Sequence, residues 1–253
     1  MSKISVCVQF YPWYREFDRT EELFRVMIPS MIRAGAENFE LSISDAGIDD
    51  IWGFNRRRDI WAFRERLRSE WKGDLVYSCT DRAITPPKHK HSRRFWVSAG
   101  VNIAVRQSTC EYLWLNNIDI EIPENFYTVY MENVGPGRPW FPKCYNIRAD
   151  MPRVSEGGGW RQGTGLCGIV RADFDVVGGN DEGYIKDHHD SDFFNRCMTR
   201  WCTTAGCECI SCRLQRVGSQ SGERSRPLLK GLFHIDHPGT CERTSAFNER
   251  GWK

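Results

Sequence analysis

Residues 98–122 read SAGVNIAVRQSTCEYLWLNNIDIEI, and their pattern decides how the rest of the chain is parsed. Phe95 to Arg106 carries apolar residues at helical spacing, which predicts a helix. Glu111 to Ile122 predicts a short apolar strand running into a polar turn. In extended chain Asn117, Asp119 and Glu121 point to the same side. Two or three oxygen ligands on one side suit Mg²⁺ or Mn²⁺ bridging a diphosphate. The same segment also reads as a strand with one solvated face, ended by Pro123.

The chain before this stretch repeats the alternation of strand and helix. Ile4 to Gln9 reads as a strand. Asp18-x-x-Glu21 has the form of a capping box. Leu23, Met27, Met31 and Ala34 follow at near-helical spacing, with Gly35 as the C-cap. Pro29 inside that helix predicts a kink or a tight contact. Phe39, Leu41 and Ile43 alternate as a second strand that ends at residues 44–47. A second helix carries Ile60, Phe63, Leu67 and Trp71 on one face, and Asp74 to Cys79 is a third strand. Such alternation with short connections implies an α/β fold, a largely parallel sheet covered on both faces. Ligands on such sheets bind at the carboxyl ends of the strands. Asp45, Thr80, Asn117 and Asp119 fall near those ends. Residues 134–165, rich in Gly and Pro, predict a long loop with one short strand. No repeat, low-complexity tract or linker divides the 253 residues, so a single domain is expected.

Composition excludes several classes. A hydrophobic content of 40% excludes a disordered chain. No apolar run approaches the ~18 residues needed to span a bilayer, so no membrane span is expected. The start, MSKISVCVQFYPW, lacks the pattern of a signal peptide, and a cytoplasmic location is expected. Lys+Arg 35 against Asp+Glu 33 leaves +2, too balanced for a sequence-independent DNA coat. Eleven cysteines, an odd number, favour a reducing compartment and free thiols. Cys202, Cys207, Cys209 and Cys212 are spaced C-x4-C-x-C-x2-C, which a structural Zn²⁺ or four free thiols would both explain. The phosphate-binding patterns G-x-x-x-x-G-K-[ST] and G-x-G-x-x-G are absent, as are H-E-x-x-H and G-x-S-x-G.

Ser98 to Arg106 followed by Glu111 to Asp119 resembles the nucleotide-sugar core of GT-A-fold glycosyltransferases, in particular the family-2-like group. The resemblance places the family's D-x-D on Asn117 and Asp119. Asn stands for the first Asp and can still ligate through its carbonyl oxygen, with one negative charge fewer. Gly165 to Glu182 resembles the family's strand and apolar-G-G-F-D-E turn, here ending Gly178-Gly179-Asn180-Asp181-Glu182. His189-Asp190-Ser191-Asp192-Phe193-Phe194-Asn195-Arg196 resembles its E-D-x-D-(apolar)-x-x-R helix, with His189 in place of Glu. The resemblance implies that Asp190 is the general base of an inverting transfer. Independently, Phe193, Cys197 and Trp201 form an i, i+4, i+8 stripe, which buries that helix and fixes its acidic first turn. Asp187, Asp190 and Asp192 also suit simple N-terminal capping.

What the resemblance implies overall is a Rossmann-like GT-A fold, a mixed, mostly parallel central sheet flanked by helices. Residues 1–125 would form the nucleotide-sugar-binding half and residues 126–253 the acceptor and catalytic half. Gln9, Asp45 and Asn102 would contact the donor, with Asn117 and Asp119. The cation, Mn²⁺ or Mg²⁺, would sit on Asp119 and Asn117 with His237 or His234. Trp160, on the glycine-rich stretch Gly157–Gly165, would meet the acceptor together with Asp181 and Glu182. The expected activity is metal-assisted, inverting transfer of a sugar from a nucleoside-diphosphate sugar to a glycan, protein or nucleic-acid hydroxyl. Two other readings remain open. Arg56–Arg68 and Lys88–Arg94, interleaved with Trp61, Trp71 and Trp96, suit a nucleic-acid-binding protein or a transferase acting on modified bases. The two departures from the family motifs suit a non-catalytic sugar-binding module.

Overall fold

The computed structural model describes residues 2–10, 13–14, 17–18, 20–45, 59–79, 97–118, 120–148, 161–162, 166–182, 189–202 and 233–236. The apolar run at the start forms β1 (Ile4–Phe10), followed by β2 (Trp13–Tyr14) and β3 (Phe17–Asp18), which pair as a hairpin. One helical stretch then runs through α1 (Thr20–Glu22), a π-helical segment Leu23–Met27 and α2 (Ile28–Arg33). The Ile28 N–H reaches Leu23 O, five residues back, which makes the turn wide. Pro29 follows directly and has no N–H for the carbonyl four residues back. Glu21, the acidic end of the expected capping box, gives its two oxygens to Arg25 and Arg66, each at 2.8 Å.

β4 (Phe39–Asp45), α3 (Ile60–Glu70), β5 (Asp74–Cys79), α4 (Val97–Gln107) and β6 (Tyr112–Asn116) follow the expected order. The single strand expected over residues 111–122 is two strands. After β6 the Ile120 N–H closes a turn onto Asn117 O at 3.4 Å, and β7 (Ile120–Glu121) belongs to another sheet. Glu121 pairs with Arg33 at 2.7 Å. It therefore does not extend a row of ligands from Asn117. α5 (Phe126–Asn133) comes next. β8 (Lys143–Arg148) and β9 (Arg161–Gln162) pair antiparallel, two strands where one was expected. β10 (Cys167–Val170), α6 (Arg171–Val177), α7 (His189–Cys202) and β11 (Phe233–Asp236) complete the described elements.

The main sheet has the order β10-β6-β1-β4-β5. β6, β1, β4 and β5 are parallel and β10 is antiparallel to β6. This is the mixed, mostly parallel sheet flanked by helices that was expected. On one face Val6, Val8, Leu41, Ile43 and Trp114 pack against Phe24, Met27, Phe63, Phe126 and Tyr130. On the other, Cys7, Leu113, Leu115 and Ile169 pack against Ala104, Val105, Phe174, Phe193 and Cys197. Each fully buried large apolar side chain contributes about 1.5–3 kcal/mol. Trp114 explains α5, whose Phe126 ring meets it edge-on at 5.0 Å. The second sheet has the order β7-β11-β8-β9 and sets His234 opposite Ile120.

The described arginines of α3 are engaged within the fold. Arg66 pairs with Glu21 and Glu70 and lies over the Phe24 ring at 3.9 Å. Arg68 pairs with Glu65, and Arg64 faces the Tyr77 ring. Residues 56–58 and 88–94 lie outside the described residues. Cys7, Cys79, Cys110, Cys167 and Cys197 form no disulfide. Among the described residues no helix is long and apolar enough to cross a membrane.

Candidate functional site

The four parallel strands end on one edge of the sheet, at Asn116, Phe10, Asp45 and Cys79. From β1 the chain adds β4 and β5 on one side, then returns to place β6 on the other. The order reverses between β1 and β6, and the crevice outside such a point is where sheets of this kind take ligands. Six buried side-chain nitrogen or oxygen atoms have no hydrogen-bond partner among the described residues: Gln9 Nε2, Ser44 Oγ, Ser78 Oγ, Asn116 Oδ1, Asn116 Nδ2 and Trp114 Nε1. All but the Trp114 atom belong to the last or next-to-last residue of a parallel strand. Buried polar groups are almost always bonded, so orphans along this edge mark places completed by something else: Gln9, Ser44 and Ser78 on the α4 face, and Asn116, in register with Val8, on the opposite face.

Gln9, Ser44 and Ser78 are register partners in neighbouring strands and form a row across the sheet. Gln9 lies directly beneath α4, where a Cβ on Gly100 would come within 2.5 Å of Gln9 Cγ. Asp45, the other expected contact at the strand ends, is fully buried and accepts a hydrogen bond from the Tyr77 hydroxyl. Asn116 and the two serines were missed at the sequence level. The available signal was a polar residue at the end of each otherwise apolar strand.

Asn117 is exposed on the turn that leaves β6. Asp119 lies outside the described residues, as does His237. The backbone of His234 is set opposite Ile120, the residue that follows Asp119. The second sheet thus brings the histidine segment beside the turn. An amide carbonyl oxygen and a carboxylate suit Mn²⁺ or Mg²⁺, and an added imidazole favours Mn²⁺. Among the described residues no group of three or more His, Cys, Asp or Glu side chains could hold a metal ion.

Asn102, expected at the donor, is bonded to the 178–182 turn. Its Oδ1 accepts the Asn180 N–H at 2.9 Å, and its Nδ2 donates to Asn180 O at 2.8 Å and to Glu182 Oε1 at 2.9 Å. Glu182, expected at the acceptor, also pairs with Arg106 at 2.6 Å. These bonds fasten the 178–182 turn to α4. The turn needs its glycines, with φ of +83° at Gly178 and +66° at Gly179. Arg196 ties α7 to the same turn, donating to Val177 O at 2.6 Å and Gly179 O at 2.8 Å while its Nε meets Asp192 at 2.7 Å. Phe193 and Cys197 are buried and Trp201 packs beside them, as the stripe predicts.

The Asp190 backbone lies in the first turn of this clamped helix; its side chain lies outside the described residues. Asp181 is exposed beside the clamp. Trp160 lies outside the described residues. Cys202 ends α7, and Cys207, Cys209 and Cys212 lie outside the described residues, so nothing here supports a zinc site. Burial pushes the Cys7 and Cys197 thiols up to about 12 and raises Cys167 as well. These thiols are packing groups rather than nucleophiles.

No protein-family model and no curated protein matches the chain. Among solved structures the chain is similar to S. aureus TarS 1-349, with 12% identity over 78% of this chain and 55% of that one, at a TM-score of 0.47. It is similar to the same protein in complex with UDP, with 11% identity, the same coverage and a TM-score of 0.45. It is also similar to the mannosyltransferase PcManGT from Pyrobaculum calidifontis in complex with GDP-Man and Mn²⁺. That match has 12% identity over 100% of this chain and 65% of the other, at a TM-score of 0.48. The chain spans about half the length of TarS 1-349, 55% of it.

Proposed function

We infer that the chain is a glycosyltransferase that takes a nucleoside-diphosphate sugar at the carboxyl edge of β5, β4, β1 and β6 and passes the sugar to an acceptor hydroxyl. The observation that carries this reading is the set of orphaned buried polar atoms on Gln9, Ser44, Ser78 and Asn116, at the edge where the strand order reverses. The order of the three motifs along the chain supports transfer rather than nucleotide binding alone.

In this reading residues 1–125 bind the donor and residues 126–253 bring the acceptor and the base. Asp119, with Asn117 and His237 or His234, would hold Mn²⁺ or Mg²⁺. When bound, that cation supplies positive charge for the diphosphate as it departs. Gln9 and Asp45 meet the nucleoside. Asp190 accepts the proton of the acceptor hydroxyl as its oxygen bonds to the anomeric carbon. The bond from that carbon to the diphosphate oxygen breaks on the opposite face, which inverts the centre. Asn102 and Glu182 hold the turn that supports α7, which leaves Trp160 and Asp181 to meet the acceptor. The acceptor is a glycan, a protein or a nucleic acid.

The test is thermal stabilisation by UDP, GDP, dTDP, CDP and ADP, each with Mn²⁺, Mg²⁺ or EDTA. A nucleotide at 100 times its Kd stabilises the fold by about 2.7 kcal/mol. One nucleotide that acts only with metal, and not on Asp119→Ala, is the expected result. Asp190→Asn should keep that shift and lose transfer. No response to any nucleotide would overturn the reading.

A further inference from the structure

Asn116 ends β6 with a carboxamide that is 5% exposed, and neither its oxygen nor its nitrogen has a partner among the described residues. A buried amide left with both atoms unpaired is costly, and a leucine-like side chain would fill the same space without that cost. The residue stands opposite Val8 of β1, at the reversal of strand order. It sits one residue before Asn117, about 3.3 Å along the chain from the turn assigned to the diphosphate. Groups one linkage away from a diphosphate in a nucleotide sugar are the ribose and the transferred sugar, and both carry hydroxyls. A carboxamide offers one acceptor and two donors, which matches a pair of hydroxyls that each donate and accept.

We propose that Asn116 is a donor-binding residue whose carboxamide hydrogen-bonds a pair of sugar hydroxyls on the nucleoside-diphosphate sugar. The inference rests on the donor site described above and deepens it. Occupancy by the ligand accounts for a polar residue kept buried in the apolar end of β6.

The experiment compares wild type with Asn116→Leu, using whichever nucleoside diphosphate stabilises the wild type most, its 2′-deoxy and 3′-deoxy forms, and the matching nucleotide sugar. Asn116→Leu should melt higher than wild type without ligand, because two orphaned atoms are gone. It should also bind the ligand about tenfold more weakly. If the wild-type preference for the ribonucleotide over a deoxy form disappears in Asn116→Leu, the hydroxyls are those of ribose. If only nucleotide-sugar binding weakens, they belong to the transferred sugar. Either result supports the proposal. Unchanged affinity for every probe would overturn it and leave an ordered water as the amide's only partner. If Asn116→Leu does not fold, Asn116→Ser is read in the same assay, with the same weakening expected and the same unchanged affinity overturning the proposal. A wild type that binds no nucleotide overturns the donor site itself. A wild type that binds, beside a variant that binds equally, overturns only the role of Asn116.

Discussion

The Asn102 carboxamide grips the backbone of Asn180 at both of its polar groups, accepting its N–H at 2.9 Å and donating to its carbonyl at 2.8 Å. Only a side chain with a donor and an acceptor on one short plane satisfies both. Asn102→Asp turns a carboxylate oxygen toward the Asn180 carbonyl and the Glu182 carboxylate, where Nδ2 now donates. Asn102→Asp should therefore cost about 2–3 kcal/mol in urea unfolding at pH 7, more than Asn102→Ala. Part of that loss should return at acid pH, where the new carboxyl takes up a proton.

Gly178 and Gly179 should respond unequally to alanine. Both hold positive φ, but a Cβ on Gly178 meets nothing within 4 Å. A Cβ on Gly179 would come within 2.9 Å of Asn102 Oδ1 and 3.0 Å of the Phe174 ring. Gly178→Ala should cost about 1 kcal/mol for the backbone alone. Gly179→Ala should cost clearly more, by displacing the amide that grips Asn180. Paired denaturation curves check the ranking.

Arg196 reaches Val177 O, Gly179 O and Asp192 from one planar group. A lysine ammonium cannot hold that spread from one fixed plane. On the function proposed above, Arg196→Lys should leave the nucleotide-induced thermal shift unchanged while sugar transfer slows by about tenfold in kcat. Amides in the first turn of α7 should also exchange faster with deuterium. Wild-type turnover in Arg196→Lys would show that this clamp does not serve the reaction.

The buried thiols predict an alkaline limit. Cys7 and Cys197 ordinarily titrate near 9.0 and are pushed up to about 12 in the fold, chiefly by burial. A folded-state pKa raised in this way leaves stability intact below pH 9 and removes it as pH climbs towards 12. Between those limits the unfolded chain loses each proton and the folded chain does not. Each thiol should then take away about 1.4 kcal/mol per pH unit. Urea unfolding at pH 8, 9 and 10 measures the slope, and Cys197→Ala should make it shallower. Iodoacetamide at pH 8 should leave Cys7, Cys167 and Cys197 unlabelled until denaturant is added.

Most of the main sheet was legible in the sequence because alternation is a local signal. Phe39, Leu41 and Ile43 face one way by spacing alone, and Phe63, Leu67 and Trp71 mark the buried face of α3 in the same manner. The second sheet was not legible. β7 has two residues and β11 has four, and they pair across more than a hundred residues of chain. Elements that short carry no period of their own. Motif order marked Asn102 as a donor contact and Glu182 as an acceptor contact, but not the bond between them, since contact between α4 and the 178–182 turn is a product of packing. Asn116 escaped notice for a different reason. At the end of an apolar run one polar residue reads as the start of a turn, and only burial with empty bonding positions distinguishes it.

The pairing of His234 with Ile120 also bears on the order of assembly. Among the described residues the main sheet is complete once Val170 has joined β6, so a chain emerging from the ribosome can build the carboxyl edge of that sheet early. β11 lies between β7 and β8, which do not pair with each other among the described residues. Closing that long loop is slow compared with the local contacts of the main sheet. The nascent protein would therefore spend an interval with that carboxyl edge formed and the Asn117 turn still lacking its last neighbour. If that turn takes the cation proposed above, metal capture is a late step, set by arrival of β11 rather than by folding of the sheet that carries Asn117.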